Sequence, residues 1–251
     1  MIEVRNLYKS FEDQDVLKDI SVSFEQGKTN LIIGKSGSGK TVLLKCIVGL
    51  LEMDRGHIFY SGECFTEMSA KEKKKIRQKF GMLFQGAALF DSLSVEENVR
   101  FKLDMFTSSS HAEKTKRVNF CLEKVNLKDT NLLYPSELSG GMRKRVAIAR
   151  AIVMNPRYLF CDEPNSGLDP QTAILIDQLI KDITEEFNMT TIVNTHDINS
   201  VMEMGEKVVY IHNGEKRWEG SNLEIIDAEN KELHDFIFAS GILRHLKKDE
   251  I

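Results

Sequence analysis

The residues best suited to chemistry form one short loop, Gly-Lys-Ser-Gly-Ser-Gly-Lys-Thr, at positions 34–41. The loop fits the pattern G-x-x-x-x-G-K-[ST], and it lies between an apolar run at 31–33 and a predicted helix over 41–50. Glycines let successive backbone N–H groups turn toward one anion, and the start of the helix adds the positive end of its dipole. The pattern therefore predicts a P-loop, a site for a nucleoside triphosphate.

Side chains of this loop complete the predicted site. Lys40 can neutralise the outer phosphates, and the hydroxyl of Thr41 is a suitable ligand for Mg²⁺. A glycine turn without a ligand is the alternative, but the apolar strand before the loop and the helix after it favour a bound phosphate. The residues predicted to contact the nucleotide here are Gly34, Lys35, Ser36, Gly37, Ser38, Gly39, Lys40 and Thr41.

Two adjacent carboxylates, Asp162 and Glu163, end the apolar run at 158–161. Adjacent residues that leave a strand point in different directions. Asp162 can therefore hold Mg²⁺ through water while Glu163 faces an attacking water as general base, which are the two roles that hydrolysis of a γ-phosphate needs.

A second glycine-rich helix start occurs at Leu138-Ser139-Gly140-Gly141-Met142, before a predicted helix over 143–154. Its backbone donors and the Ser139 hydroxyl can bind another face of a phosphate. Because the chain has a single P-loop, a simple solution is that this helix start serves the nucleotide of a second copy.

Composition limits the class of protein. The chain has 251 residues, 41% hydrophobic and 29% charged, which is typical of a soluble globular protein. A net charge of -4 argues against a general nucleic-acid binder. We find no targeting segment and no window close to the roughly 18 apolar residues of a membrane span, so we expect a cytoplasmic protein. The cysteines form no CxxC pair and are expected to be small buried thiols.

Strands that alternate with helices predict an α/β fold: a P-loop NTPase parallel-sheet core, an N-terminal antiparallel β subdomain and an inserted α-helical subdomain. We expect one domain over 1–220, with the helical insertion at about 86–155, and a helical tail over 221–251. Within the tail, Ser221 to Glu224 has the capping-box pattern of a helix start. The apolar tail residues either cap the sheet or dock a partner subunit; they are Phe236, Ile237, Phe238, Ile242 and Leu243.

From residue 2 to about 220, the chain resembles the nucleotide-binding subunits of ABC transporters. Residues 138–142 look like the family's signature motif, although Met142 stands where glutamine is commoner. Gln85 matches the Q-loop glutamine, and residues 166–169 match the D-loop, which ends at Asp169. His196 matches the switch histidine that contacts the γ-phosphate, and Phe11 matches the aromatic residue that stacks on adenine.

The resemblance implies ATP and Mg²⁺ as cofactors. The catalytic residues would be Glu163, His196 and Gln85, and the metal site would use Thr41, Gln85 and Asp162. Beyond the P-loop, the implied nucleotide contacts come from Phe11, Ser139, Gly140, Gly141 and Asp169. It also implies a head-to-tail dimer of two copies with two ATP molecules between them, and membrane permease subunits as partners on the inner face of the cell membrane.

The apolar segment 84–95 either packs the helical subdomain or forms a groove for a short helix of the membrane partner. Together with residues 134–142, it resembles the ATPase of MCE/Mla-type transporters, which move lipids and include an MCE-type lipid-binding protein. An importer or exporter of amino acids or a drug is an alternative, as is a soluble ABC ATPase acting on DNA or the ribosome. That last class usually has long coiled coils or two ATPase domains, which this sequence lacks.

Overall fold

The computed structural model describes residues 1–12 and 14–238, and it divides into two compact units. The first unit comprises Met1–Glu25, Thr29–Met68 and the chain from Asn194 onward. The second comprises Gln26–Lys28 and Ser69–Val193. Among the described residues, no helix is both long enough and apolar enough to cross a membrane.

The strands and helices follow one another as the alternating sequence pattern predicts. In chain order, the strands are β1 (Ile2–Phe11), β2 (Gln14–Phe24), β3 (Thr29–Ile33), β4 (Arg55–Tyr60), β5 (Glu63–Cys64), β6 (Phe80–Leu83), β7 (Tyr158–Asp162), β8 (Thr190–Thr195), β9 (Lys207–His212) and β10 (Glu215–Gly220). The α-helices are α1 (Lys40–Ile47), α2 (Ala70–Arg77), α3 (Val95–Phe106), α4 (His111–Lys124), α5 (Gly140–Ile152), α6 (Pro170–Glu186), α7 (Ile198–Met204) and α8 (Lys231–Ile237).

In the first unit, an antiparallel sheet has the order β2-β1-β4-β5. Val4 on β1 pairs with Val22 on β2 and with Ile58 on β4, and all three side chains are buried. β1 continues to Phe11 past a register shift between Val4 and Leu7, where Asn6 has φ 47°. The shift breaks the alternation of apolar residues along the strand.

The remaining strands include the parallel pairs, and β10 pairs antiparallel with β9. In the first unit the order is β10-β9-β3, and β3 runs parallel to β9 with all five of its residues buried. In the second unit the order is β8-β7-β6, and β6 runs parallel to β7. Burial on both faces explains the apolar runs of β3, β7 and β9 in the sequence. The predicted α/β class, with parallel and antiparallel sheets, is confirmed.

Three helices, α3, α4 and α5, lie along the chain between β6 and β7. A capping box begins α3: the Ser94 hydroxyl accepts from the N–H of Glu97, whose carboxylate accepts from the N–H of Ser94. Arg117 of α4 supports the end of α5, since its guanidinium donates to the carbonyls of Ile152 and Val153 at 2.8 and 2.9 Å. Such contacts satisfy helix-end carbonyls that have no partner within the helix.

The helix start predicted at Ser221 is wrong. The N–H and hydroxyl of Ser221 do donate to the carboxylate of Glu224, at 2.7 and 2.8 Å, but the segment forms turns. Leu223 is 80% exposed, so its apolar side chain does not pack against the protein and does not stabilise a helix here. The last described helix, α8, begins only at Lys231.

The described part of the tail packs on the sheet. Leu233, Phe236 and Ile237 are buried, and the Phe236 ring lies 5.6 Å from that of Tyr210 on β9. Tyr210 also donates its hydroxyl to the carbonyl of Glu232 at 3.0 Å. These residues therefore act as the predicted cap, whereas Ile242 and Leu243 lie outside the described residues.

Three cysteines are buried thiols, as expected: Cys46, Cys121 and Cys161. Burial raises the pKa of Cys46 and of Cys121 to about 11, and raises the pKa of Cys161 as well. The expectation is wrong for Cys64, which is only half-buried because it lies on the two-residue strand β5.

Candidate active site

In the first unit, the predicted phosphate loop connects β3 to α1 and requires glycine at specific positions. A Cβ at Gly34 would lie 2.3 Å from the carbonyl oxygen of Ile211. Gly39, immediately before α1, has φ 105°, and a Cβ there would lie 2.8 Å from Leu17. Side chains at these positions would displace the loop from β9 and β2, so packing and backbone conformation both select glycine.

The polar groups of this loop suit an anion. Lys40 is only 6% exposed, and its Nζ donates to the carbonyls of Gly34 and Lys35 at 2.8 and 3.2 Å. The buried Ser38 hydroxyl has no hydrogen-bond partner among the described residues. The first turn of α1 contains no acidic residue and no side chain caps it. An ammonium group, an unsatisfied hydroxyl and an uncapped helix start therefore meet where the sequence predicts phosphate.

Phe11 and His196 also belong to the first unit. Phe11 is 43% exposed at the end of β1, and the Nζ of Lys9 lies 5.1 Å from its ring centroid. Asp54 anchors this strand end, accepting from Lys9 at 2.8 Å and from the N–H of Ser10 at 2.6 Å. These two hydrogen bonds lower the pKa of Asp54. His196 is exposed and directly follows β8.

In the second unit, Asp162 and Glu163 lie at the end of β7, as predicted. Asp162 is the last strand residue, whereas Glu163 has φ 48°, a left-handed conformation that disfavours residues with a Cβ. Such backbone strain clusters at functional sites, where the surroundings hold it in place. The change of conformation between the two residues agrees with the separate roles predicted for their carboxylates.

The segment after Glu163 is tied to its surroundings by three polar contacts. Asn165 donates to Asp177 of α6 at 2.6 Å, and Asp177 is only 2% exposed. Gln85 donates its amide N–H to the hydroxyl of Ser166 at 3.1 Å, which joins the predicted Q-loop and D-loop. Asp169 caps α6 by accepting from the N–H of Thr172 at 3.0 Å, and hydrogen bonds from Thr172 lower the pKa of Asp169.

The predicted second phosphate contact begins α5. The Ser139 hydroxyl accepts from the N–H of Met142 at 3.2 Å, which leaves its own hydrogen to donate. Ser139 is exposed, and the first turn of α5 has no acidic residue. Gly141 is required by packing, since a Cβ would lie 2.7 Å from Thr172. Met142 contributes its backbone, so methionine in place of glutamine preserves this contact.

Two basic residues of α5, Lys144 and Arg150, were not among the residues predicted from sequence. Lys144 bonds the carbonyl of Gln85, and Arg150 bonds those of Ala87 and Ala88. A usable signal existed for Lys144, because it occupies a buried position among the apolar residues of α5. Asp177 has the same signal within α6.

Comparisons with known proteins agree with this geometry. Residues 17–166, more than half of the chain, match the family model described as ABC transporter. A probable ribonucleotide transport ATP-binding protein, mkl of Mycobacterium leprae, is 41% identical over 198 residues, 79% of this chain and 57% of the relative. The chain thus spans little more than half of that relative's length. The methionine import ATP-binding protein MetN of Clostridioides difficile is 37% identical over 97% of this chain and 75% of its own.

Two solved structures share the fold. The dimeric cassette MJ0796 in a post-hydrolysis state, bound to ADP and Pi, superposes with a TM-score of 0.80 at 33% identity, covering 88% of this chain and 99% of that one. The cbiO1 protein of Clostridium perfringens, part of the transporter complex cbiONQ, gives a TM-score of 0.85 at 29% identity, covering 100% of this chain and 98% of that one.

Proposed function

Because the chain belongs to the ABC transporter family and carries its ATP-binding domain, we propose that it binds and hydrolyses ATP to drive a membrane transporter. The observation that carries the proposal is the loop between β3 and α1. It combines the buried ammonium of Lys40 with the unsatisfied hydroxyl of Ser38 at an uncapped helix start. This combination suits a phosphate chain, because an ammonium group, a hydroxyl donor and the positive end of a helix dipole all favour an anion.

Each predicted site residue has a role in this reaction. Lys40 and the amides of residues 34–41 bind the phosphates, and the exposed ring of Phe11 stacks on adenine. Glu163 takes the proton of the water that attacks the γ-phosphorus, the bond to the β-phosphate oxygen breaks, and ADP leaves. His196 contacts the γ-phosphate. Asp169, which caps the start of α6, contacts the nucleotide.

Mg²⁺ would be held by Thr41, Gln85 and Asp162. Their hydroxyl, amide and carboxylate oxygens are the hard donors that this cation prefers. When bound, the ion neutralises charge on the phosphates. The side-chain N–H of Gln85 donates to the Ser166 hydroxyl. The side-chain oxygen of Gln85 would therefore be the atom that binds the cation.

A second copy of the chain completes the site. The helix start at Ser139-Gly140-Gly141 has an exposed hydroxyl and no acidic first turn, so it suits a phosphate. We assign it to the nucleotide on the P-loop of the other copy, in a head-to-tail dimer with two ATP molecules. Closing on ATP and opening after hydrolysis would drive transport.

The membrane partner would be a permease, contacted at the α3 surface, which we define as Phe90, Phe101, Met105 and Phe106. These side chains are 43, 37, 60 and 39% exposed, and the rings of Phe90 and Phe101 lie 4.9 Å apart. Asn98 holds Phe90 in place through the N–H and carbonyl of its main chain, at 2.8 and 3.0 Å. An exposed aromatic pair on a rigid backbone suits a short apolar helix, with the ATPase on the cytoplasmic side of the membrane.

Phe101→Ser should reduce the amount of permease that co-purifies with the tagged protein from membranes by about tenfold, since burial of a phenylalanine side chain is lost. The matched control is Phe120→Ser, because Phe120 of α4 is equally exposed at 38% but lies outside the α3 surface. Mass spectrometry of the membrane fraction measures the recovery. Equal recovery with both variants would exclude the α3 surface as the docking site.

For the cargo, we propose lipid, in a transporter of the MCE/Mla type. The support is the resemblance carried by residues 84–95 and 134–142, including Met142 after the paired glycines. The relatives named for methionine import favour an amino-acid importer as the second candidate. Co-purification separates the two: an MCE-type lipid-binding protein beside the permease supports lipid, and an amino-acid permease without one refutes it. Recovery of ribosomes or DNA without a permease would instead support a soluble ATPase.

A further inference from the structure

Two basic side chains of α5 hold the main chain of the Q-loop. Lys144 donates its Nζ to the carbonyl of Gln85. Arg150 donates to the carbonyls of Ala88 and Ala87, both at 2.7 Å. We call Lys144 and Arg150 the carbonyl clasp. Charge-assisted bonds of this kind are stronger than neutral ones, so the clasp is a firm attachment.

The clasped backbone is strained. Ala87 and Ala88 have φ values of 62° and 48°, so two consecutive residues with a Cβ adopt the left-handed conformation. Ala87 also closes a turn, because its N–H donates to the carbonyl of Phe84 at 2.9 Å. Residues with a Cβ hold such a conformation only when their surroundings impose it. The clasp bonds the carbonyls of both strained residues and that of Gln85, and thereby holds this backbone in place.

Lys144 is an unfavourable choice for stability alone. Its side chain is only 5% exposed, and burial lowers the pKa of Lys144. An apolar residue of similar length, such as methionine, would avoid the cost of removing an ammonium group from water. The buried charge therefore indicates a requirement at the carbonyl of Gln85, the same residue whose side chain bonds Ser166.

We propose that Lys144 is a positioning residue: by holding the main chain of Gln85, it fixes the Q-loop to the helix that begins at Ser139 and so sets the rate of the chemical step. The inference rests on the proposed function, in particular on the role of Gln85 at the metal. The helix α5 would then serve both nucleotides of the dimer. Its start presents Ser139 to the nucleotide on the partner's P-loop, and its Lys144 holds Gln85 beside the nucleotide on the P-loop of its own chain.

Lys144→Met removes the donor and keeps the chain length. We expect kcat for ATP hydrolysis to fall by about 10- to 100-fold, the usual effect of misplacing a catalytic group. The Kd for a non-hydrolysable ATP analogue should stay within about twofold, because the phosphate contacts of residues 34–41 are untouched. Lys144→Arg should recover most of the rate, since a guanidinium can donate to the same carbonyl. Lys116→Met, on the exposed face of α4, is the control.

Hydrogen exchange provides a readout that does not depend on turnover. In Lys144→Met, the amide of Ala87 should exchange faster, because its turn loses an anchor while the rest of α5 stays protected. Arg150→Gln removes the other half of the clasp and should also speed exchange of the Ala87 amide. It replaces Lys144→Met in this measurement if that variant fails to fold.

The outcomes distinguish this inference from the function beneath it. A wild-type chain that does not hydrolyse ATP contradicts the proposed function. An active wild type whose Lys144→Met variant keeps its kcat, or loses kcat and nucleotide affinity in parallel, contradicts the positioning role alone.

Discussion

Glu163→Gln is expected to slow ATP hydrolysis by about 100- to 10,000-fold, the range that a general base contributes. Glutamine preserves the shape of the side chain but cannot take the proton of the attacking water. The phosphate contacts of Lys40 and its loop do not involve Glu163, so ATP should still bind. In the proposed cycle the dimer reopens only after hydrolysis, so the variant should accumulate as an ATP-bound dimer. Phosphate release and light scattering measure the two effects.

Glu185→Gln is the matched control for this variant. Glu185 is an exposed residue of α6, so the same change of charge there should leave both the rate and the monomer–dimer equilibrium unaltered. A Glu163→Gln protein that hydrolyses ATP at the wild-type rate would remove Glu163 from the mechanism. A Glu163→Gln protein that stays monomeric at saturating ATP would contradict the head-to-tail dimer with ATP between its two copies.

Lys40→Ala should weaken ATP binding by about 10- to 100-fold, the value of a lost charge-assisted hydrogen bond to phosphate. The Lys40 ammonium is already buried within the loop, so the protein has met part of the cost of desolvation before ATP arrives. The change also leaves the carbonyls of Gly34 and Lys35 without this donor. Titration with a fluorescent ATP analogue measures the loss.

Lys45→Ala serves as the control for Lys40→Ala, since Lys45 is an exposed residue of the same helix and removal of its charge should not alter the loop. If the two variants bind the analogue equally well, the P-loop assignment is wrong.

Much of the fold could be predicted because its causes are local. Buried parallel strands such as β3 are continuous apolar runs, and the Asn213-Gly214 pair, with φ values of 50° and 81°, marks the hairpin between β9 and β10. The P-loop was found for the same reason, since its glycines, lysine and threonine are consecutive. Ser221 shows the limit of a local signal: its capping contacts form, but the segment after it forms turns, with Leu223 exposed.

The carbonyl clasp could not be predicted because its partners are distant along the chain. Arg150 bonds residues that precede it by about sixty positions. The acceptors are main-chain carbonyls, which every residue type has, so the sequence does not indicate which of them are bonded. The left-handed conformation of Ala87 and Ala88 could not be predicted either, because alanine does not favour that conformation. The sequence therefore indicated only that segment 84–95 is apolar. It did not indicate which of its residues are buried, such as Ala87, and which are exposed, such as Phe90.

The proposed sharing of each nucleotide between two copies is tested most directly by mixing two impaired variants. Ser139→Asp retains a good N-cap for α5 but places a carboxylate against the phosphate, whereas Ser139→Asn retains the cap without the charge and serves as the control. Lys40→Ala disables the P-loop of the other copy. We predict that the mixture of Ser139→Asp and Lys40→Ala hydrolyses ATP well above the sum of the separate variants, because each mixed dimer has one site with Lys40 from one copy and Ser139 from its partner. A mixture that shows only that sum would contradict the account.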